Sequence, residues 1–311
     1  MAAYAACMLS ALIFALSRSG TAERIATSVP GFRSFSRRFV AGQRQTDALD
    51  AVARLNAQGF EATVSFLGEA VTSEREVRAA VAEFTSFAAA AQARGLRSGI
   101  SIKLTELGLA FDRALAERSL DELLRALPGT FVRIDMEDAR YTEATLDIFR
   151  RARERHTDVG VVIQAYLRRS AADIDALARE GAPVRLVKGA YREAETVAFA
   201  SKREVDESFT RLADAYFAAM APGGHLAVAT HDGRMVRAAL RSARRHGVAR
   251  ERYEFQMLYG IRPELQRSLR TRGYGVRIYI PYGTHWYPYL MRRLAERPAN
   301  LWFFLRNALR R

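Results

Sequence analysis

Four short stretches of the chain hold residues able to do chemistry. Val187-Lys188-Gly189-Ala190-Tyr191 sets a lysine before a glycine and a small residue. Such a turn lets a bulky planar or phosphorylated ligand approach the backbone. The same lysine, at a strand end, also suits a Schiff base with a carbonyl substrate. Ala229-Thr230-His231-Asp232 offers hydroxyl and imidazole groups that suit a phosphate or a ring nitrogen, although His231 serves equally well as a helix cap or a core hydrogen-bonding group. Phe255-Gln256-Met257-Leu258-Tyr259-Gly260 reads, by itself, as a core strand. Tyr289, Arg292, Arg293 and Glu296 share one amphipathic segment. Their spacings of three and four make neighbours on a helix surface. Paired guanidiniums suit a carboxylate or phosphate, and the same spacing also suits a solvated salt-bridge face.

The frame for these stretches is a repeating rhythm. Eight β-type runs occur, at Ala62–Leu67, Gly99–Thr105, Phe131–Glu137, Gly160–Tyr166, Pro183–Gly189, Leu226–Asp232, Tyr253–Leu258 and Gly275–Pro281. Amphipathic helical runs alternate with them, such as Glu74–Arg94, Ser119–Ala126, Thr142–Arg155, Ala171–Arg179, Val205–Met220 and Met235–His246. Strands alternating with helices imply βαβ units and a parallel sheet. Eight units point to a closed (β/α)8 barrel, a TIM-like α/β fold. An open doubly wound sheet is the alternative, but no Gly-x-Gly-x-x-Gly turn follows any strand. Residues 1–60 read as an N-terminal helical segment and residues 61–311 as the barrel.

Successive side chains of a strand alternate faces. On that rule Ser101, Lys103 and Thr105 oppose Ile100, Ile102 and Leu104, and Arg133, Asp135 and Glu137 oppose Val132 and Ile134. Gln164, Arg185, Arg277 and Tyr279 fall on the polar face of their strands in the same way. A barrel strand has no ordinary solvent face, and ionisable groups are seldom buried unless paired or functional. Lys103, Asp135, Gln164 and Arg185 are therefore expected to share a pocket at the strands' C-terminal ends, where barrel enzymes build their sites.

Composition narrows the classes further. Of 311 residues, 49% are hydrophobic and 26% charged, a globular balance that excludes a disordered or collagen-like chain. One cysteine, Cys7, excludes an intrachain disulfide and a cysteine-based zinc site, and the five histidines form no His-x-x-x-His pair. No metal is expected. The net charge of +14, almost all from arginine, favours an anionic partner. No basic stripe interleaved with aromatics suggests nucleic acid. Met1–Leu16 is uncharged but lacks a positive flank and a cleavage site, and it is short for a membrane span.

Taken in order, the stretches resemble the proline dehydrogenase family. The similarity begins at Arg38-Phe39-Val40-Ala41-Gly42 and Leu67-Gly68-Glu69, and runs through Ile102-Lys103-Leu104-Thr105, Leu107-Gly108-Leu109 and Arg133-Ile134-Asp135-Met136-Glu137. It continues with Arg185 to Tyr191, Thr230-His231 and Phe255 to Gly260, and ends with Arg277 to Gly283 and Tyr289 to Pro298. The resemblance implies a distorted (β/α)8 barrel with extra N-terminal helices and a C-terminal helix capping the substrate. It implies FAD, bound by Met136, Gln164, Arg185, Val187, Lys188, Gly189, Ala190, Thr230 and His231, with Arg185 near the reactive edge of the flavin. It places Lys103, Asp135, Tyr191, Leu258, Tyr279, Tyr289, Arg292 and Arg293 around L-proline, with Asp135 and Arg185 as the catalytic pair and Glu69 pairing with the first arginine of the helix. The product implied is 1-pyrroline-5-carboxylate, with electrons passing to a membrane quinone. The expected location is cytoplasmic, peripheral to an anionic inner membrane face. Two rival readings remain: an aldolase-like lyase using Lys188, and a basic nucleic-acid-binding protein.

Overall fold

The structure, a computed structural model, describes residues 36–68, 71–191 and 193–296, and only the backbone of Arg292 and of residues 294–296. Eight strands run parallel and close on themselves in chain order: β1 (Glu61–Phe66), β2 (Ser98–Lys103), β3 (Val132–Asp135), β4 (Val159–Gln164), β5 (Pro183–Val187), β6 (His225–Ala229), β7 (Tyr253–Leu258) and β8 (Val276–Tyr282). The barrel closes by pairing β1 with β8, from Glu61 opposite Arg277 to Phe66 opposite Tyr282.

The outward faces of the strands are apolar and sealed. Ile102, Ile134, Val161, Leu186, Val228 and Ile278 pack in one core beneath the outer helices. Those helices are α2 (Glu74–Ala93), α3 (Arg113–Ala126), α4 (Thr142–Arg153), α5 (Ser170–Arg179), α6 (Lys202–Ala219), α7 (Gly233–Arg245) and α8 (Pro263–Thr271). Their starts are written locally. Ser73 Oγ accepts from Glu76 N while the Glu76 carboxylate accepts from Ser73 N, a reciprocal cap for α2. Asp232 caps α7 by accepting from Arg234 N at 2.9 Å.

Two elements depart from a plain barrel. Helix α1 (Gln45–Ala57) precedes β1 and packs against β8 and β1. Helix α9 (Trp286–Glu296) follows β8 and clusters with Phe39, Val40, Leu67 and Ile261. Backbone bonds fasten this group to the C-terminal ends of β8 and β1: Ala41 N to Pro281 O at 2.9 Å, Gly283 N to Gly42 O at 3.0 Å and His285 N to Leu67 O at 3.1 Å. α9 therefore lies at the barrel mouth. Gly260 allows the Arg38–Gly42 strap to reach it. Its φ is +72°, and a Cβ there would lie 1.6 Å from Arg38 O.

The eight expected strands are all present. Several stop two or three residues earlier than their apolar runs suggest, because Glu137, Tyr166, Lys188 and Thr230 already belong to loops at the mouth. Helix α8 was not among the expected helices. Its signals are Pro263 at the first helical turn and Leu265 and Leu269 one turn apart.

Candidate active site

The centre of the mouth is one carboxylate with three donors. Asp135, at the end of β3, accepts from Ser101 Oγ at 2.8 Å, Arg185 Nη1 at 2.7 Å and the Tyr279 hydroxyl at 3.0 Å. The four side chains come from β2, β3, β5 and β8, so only the closed barrel brings them together. The Arg185 guanidinium stands 5.4 Å from the Tyr279 ring centre. Burial, together with the neighbouring Asp135, raises the Tyr279 pKa, so its hydroxyl keeps its proton and donates.

Arg185 is 5% exposed and tightly held. Its Nη1 also donates to Ser101 Oγ at 3.0 Å, and its Nε donates to Gln256 Oε1. The orientation of Gln256 is forced from below, because its Nε2 donates to Glu254, which when ionised can only accept. Glu254 in turn accepts from Arg277 Nε at 2.8 Å, and Arg277 also reaches Glu61 and Ala62 O. Burial pushes Glu254 toward the neutral form, but Arg277 more than offsets it and holds the carboxyl at about 2. These bonds leave Arg185 Nη2 without a hydrogen bond to any described residue, and that atom is not sealed from solvent.

Around this pair, Lys103 Nζ lies 2.9 Å from Glu106 Oε1. Burial opposes its charge, yet Glu106 and Asp135 more than compensate and keep the ammonium well above its ordinary pKa. Glu137 accepts from Thr105 N and Oγ1 at 3.1 and 2.6 Å, and burial raises its pKa. Gln164 has no hydrogen bond to Asp135 or Arg185; its Nε2 donates to Glu137 O at 2.7 Å. Met136 is buried just after β3 and Val187 is half-buried at the end of β5.

The turn after β5 is built to receive something. Gly189 has φ +121°, and a Cβ there would meet the Tyr166 ring at 2.2 Å. The N–H groups of Gly189 and Ala190 donate to no described residue. Lys188 is ion-paired with Asp206 and lies 3.7 Å from Asp232 Oδ2. Its amine is engaged in ion pairs with two carboxylates rather than presented to a carbonyl, which argues against a Schiff-base nucleophile. Free backbone donors, a lysine and a close-packed glycine suit the phosphate chain of a planar cofactor, so the residues present fit FAD.

His231 has a further role. Its Nε2 accepts from Leu258 N at 2.9 Å, which makes it the Nδ1–H tautomer and pins the end of β7, where Leu258 stands. Thr230 Oγ1 accepts from Asp232 N at 3.1 Å and keeps its own proton to donate. On α9 the Arg293 guanidinium lies 5.4 Å from the Tyr289 ring centre, as their four-residue spacing implies. Tyr191 is exposed on its turn at 37%. Glu69, the Arg292 side chain and the Glu296 side chain lie outside the described residues, as does Met1–Leu16. Four groups were missed in the sequence: Ser101 as an anchor of the pair, Gln256 and Glu254 as its supports, and Glu106 as the partner of Lys103. The signal for two of them was present, since Glu254, Gln256 and Leu258 alternate with Tyr253, Phe255 and Met257.

The family model described as proline dehydrogenase matches residues 48–306. The chain belongs to the proline dehydrogenase family. It is similar to proline dehydrogenase 1 of Bacillus subtilis subsp. natto, 40% identical over 306 residues, covering 98% of this chain and 100% of that one. It is also similar to the proline dehydrogenase of Deinococcus radiodurans, 36% identical over 284 residues, covering 89% and 91%. Among solved structures, proline utilization A from Bdellovibrio bacteriovorus, inactivated by N-propargylglycine, superposes with a TM-score of 0.78 at 27% identity. That match covers 85% of this chain and 32% of the longer one. As a family member the chain is an oxidoreductase with a TIM-like barrel.

Proposed function

We propose that the chain oxidises L-proline to 1-pyrroline-5-carboxylate with FAD as cofactor and a membrane quinone as the final electron acceptor. The observation that carries this reading is Arg185: two of its nitrogens are committed to Asp135, Ser101 and Gln256, and Nη2 remains for a ligand. FAD, when bound, supplies the two-electron acceptor that side chains lack. The Lys188-Gly189-Ala190 turn would hold its phosphates, with Thr230, His231, Gln164, Met136 and Val187 along its length.

The protein side of the reaction is positioning and charge. Proline must lose a hydride from the ring carbon beside nitrogen and a proton from the nitrogen. Arg292 and Arg293 bind the carboxylate, and Tyr289 supports Arg293 through its ring. Leu258, Tyr279 and Tyr191 wall the ring, which orients the C–H and excludes water. Lys103 and Arg185 keep the pocket cationic around an anionic substrate group, and Asp135 holds Arg185 and Tyr279 in register. Glu69 is the proposed partner of Arg292. The net charge of +14 supports a location at an anionic inner membrane face.

The test uses the purified full chain. We expect a yellow protein that releases FAD, not FMN, on heating, and turnover of proline to a product trapped by an aldehyde reagent specific for pyrroline carboxylate. A colourless protein that cannot be reconstituted with FAD overturns the reading.

A further inference from the structure

The charge of the chain is concentrated in one sector. Between Gly233 and Arg272 eleven arginines stand against three acidic residues, Glu251, Glu254 and Glu264, a net of +8 in a chain of net +14. One of the three acids does not offset the surface charge, because Glu254 is buried on Arg277, whereas Glu264 neutralises Arg262. Helix α7 is the centre of this sector, with five arginines and no acid in its sequence. Its neighbour α6 is the contrast, where Glu204, Asp206, Glu207 and Asp214 outnumber Lys202, Arg203 and Arg211.

Arg234 and Arg245, at the two ends of α7, are paired with Asp206 and Asp214. Arg237, Arg241 and Arg244 lie between them at spacings of four and three, are exposed, and have no ion pair with any described residue. The opposite face of the helix, including Met235, Val236, Ala239 and Leu240, is locked in the core. α8 joins β7 to β8 just as α7 joins β6 to β7, and these strands are hydrogen-bonded neighbours, so the two helices occupy consecutive sectors. α8 adds exposed Arg267 and Arg270. At its edge Arg37, Arg38 and Arg267 surround Leu55, Phe60 and Tyr259 in a cavity of about 330 Å³.

We propose that the α7–α8 side of the barrel docks on an anionic phospholipid surface. The proposal rests on the membrane-quinone reading above and names the face that meets the bilayer. A lipid surface fits the observations better than nucleic acid. α7 is packed along α6 in the outer layer of the barrel and does not protrude as a groove-reading helix does. Single strands need aromatic platforms, and the exposed large hydrophobic residues among those described, Phe111, Tyr191 and Val197, all lie outside the sector. A charged plane needs only guanidiniums that reach outward, within a Debye length of about 10 Å. The cavity beside α8 gives such a surface a recess for a phosphate headgroup.

The experiment is flotation of the full-length, flavin-loaded protein with vesicles of phosphatidylglycerol and phosphatidylcholine, or of phosphatidylcholine alone. Beside the wild type stand Arg237→Gln/Arg241→Gln/Arg244→Gln and a control on the far side, Arg118→Gln/Arg125→Gln/Arg151→Gln, which loses the same charge. Thermal melts and proline oxidation with a soluble dye verify that each is folded. The wild type is expected to float with anionic vesicles at low salt and to be released by added salt. Each arginine near the surface contributes about fivefold, so the α7 variant should bind on the order of a hundredfold more weakly. The control should bind as the wild type does. Equal loss in both variants means diffuse net charge and overturns the proposal. Binding of duplex DNA without binding of vesicles overturns it in favour of nucleic acid. Failure of the wild type to float while it reduces a water-soluble quinone also overturns it, yet leaves the acceptor reading standing. Flotation through α7 without reduction of any quinone supports the docking face and removes the acceptor reading.

Discussion

The floor and the mouth of the barrel bury the same kinds of side chain to different ends. At the floor, Arg133 Nη1 donates to Val161 O and Pro183 O at 3.2 and 2.8 Å, and its guanidinium lies 4.9 Å from the Phe131 ring centre. Burial, aided by the nearby Arg185 and Arg277, pulls its pKa down to about 9. Arg277, Glu254 and Glu61 close on one another beside it. At the mouth, Arg185 is equally buried, but its Nη2 has no hydrogen bond to any described residue and is not sealed. An ionisable group inside a barrel is therefore no site by itself. The distinction is spare hydrogen-bonding capacity that a ligand can reach.

That contrast breaks most directly at Glu254. Glu254→Leu strips Arg277 and Gln256 of their shared acceptor, and removing one partner of a buried pair costs about 3–5 kcal/mol. Denaturant unfolding should show that loss, while in the folded fraction Arg185 keeps Asp135 and Ser101, so kcat/KM for proline should fall far less than in Arg185→Met. The mouth should answer in the opposite sense. Arg185→Met is expected to lower kcat/KM on the order of 10²–10³-fold, as loss of a preorganised charged donor does. Stability should fall less, because Asp135 retains Ser101 and Tyr279.

Acid sharpens the same comparison. The Glu254 carboxyl lies at about 2 in the folded chain against an ordinary 4.5. A carboxylate with a depressed folded pKa stabilises fully above its unfolded pKa and loses that contribution as pH falls from about 4.5 to about 2. The loss is on the order of 3 kcal/mol. Unfolding free energy measured across that window should drop, and the drop should be shallower in Glu254→Gln. The smallest effect belongs to α9. Arg293→Lys keeps the charge but loses the planar fork, for a cost of about 2 kcal/mol, or tens-fold in kcat/KM for proline. Binding of pyrrolidine, which lacks the carboxylate, should barely change. Equal losses for both ligands mean that Arg293 supports the fold rather than the carboxylate.

How far the residues foretold this arrangement depends on distance along the chain. Strand alternation placed Asp135, Arg185, Lys103 and Tyr279 on inward faces, because a period of two needs only near neighbours to be legible. The same alternation did not separate Arg133 from Asp135, two residues apart on β3, although one serves the floor and the other the mouth. Depth along the axis follows from register between strands, such as Lys103 opposite Asp135 and Leu258 opposite Tyr279. Register is a property of the closed sheet. Gln256 was hidden for a related reason: its role depends on Glu254 below and Arg185 across the barrel, 71 residues away in the chain. Helix α9 showed its pairing of Tyr289 with Arg293 in spacing alone. Its position over the mouth, rather than beside β8, comes from contacts with Phe39, Val40 and Ile261 that periodicity cannot reveal.

The spare donor at the mouth is proposed to serve a flavin reduced by proline. The most direct measurement is the visible spectrum of the purified protein as L-proline is added without oxygen. Flavin bands are expected to bleach on addition of L-proline and to return when a quinone is supplied, with bleaching retarded in Arg185→Met. A protein whose flavin bands do not change with saturating L-proline, although the fold and cofactor are intact, would contradict it.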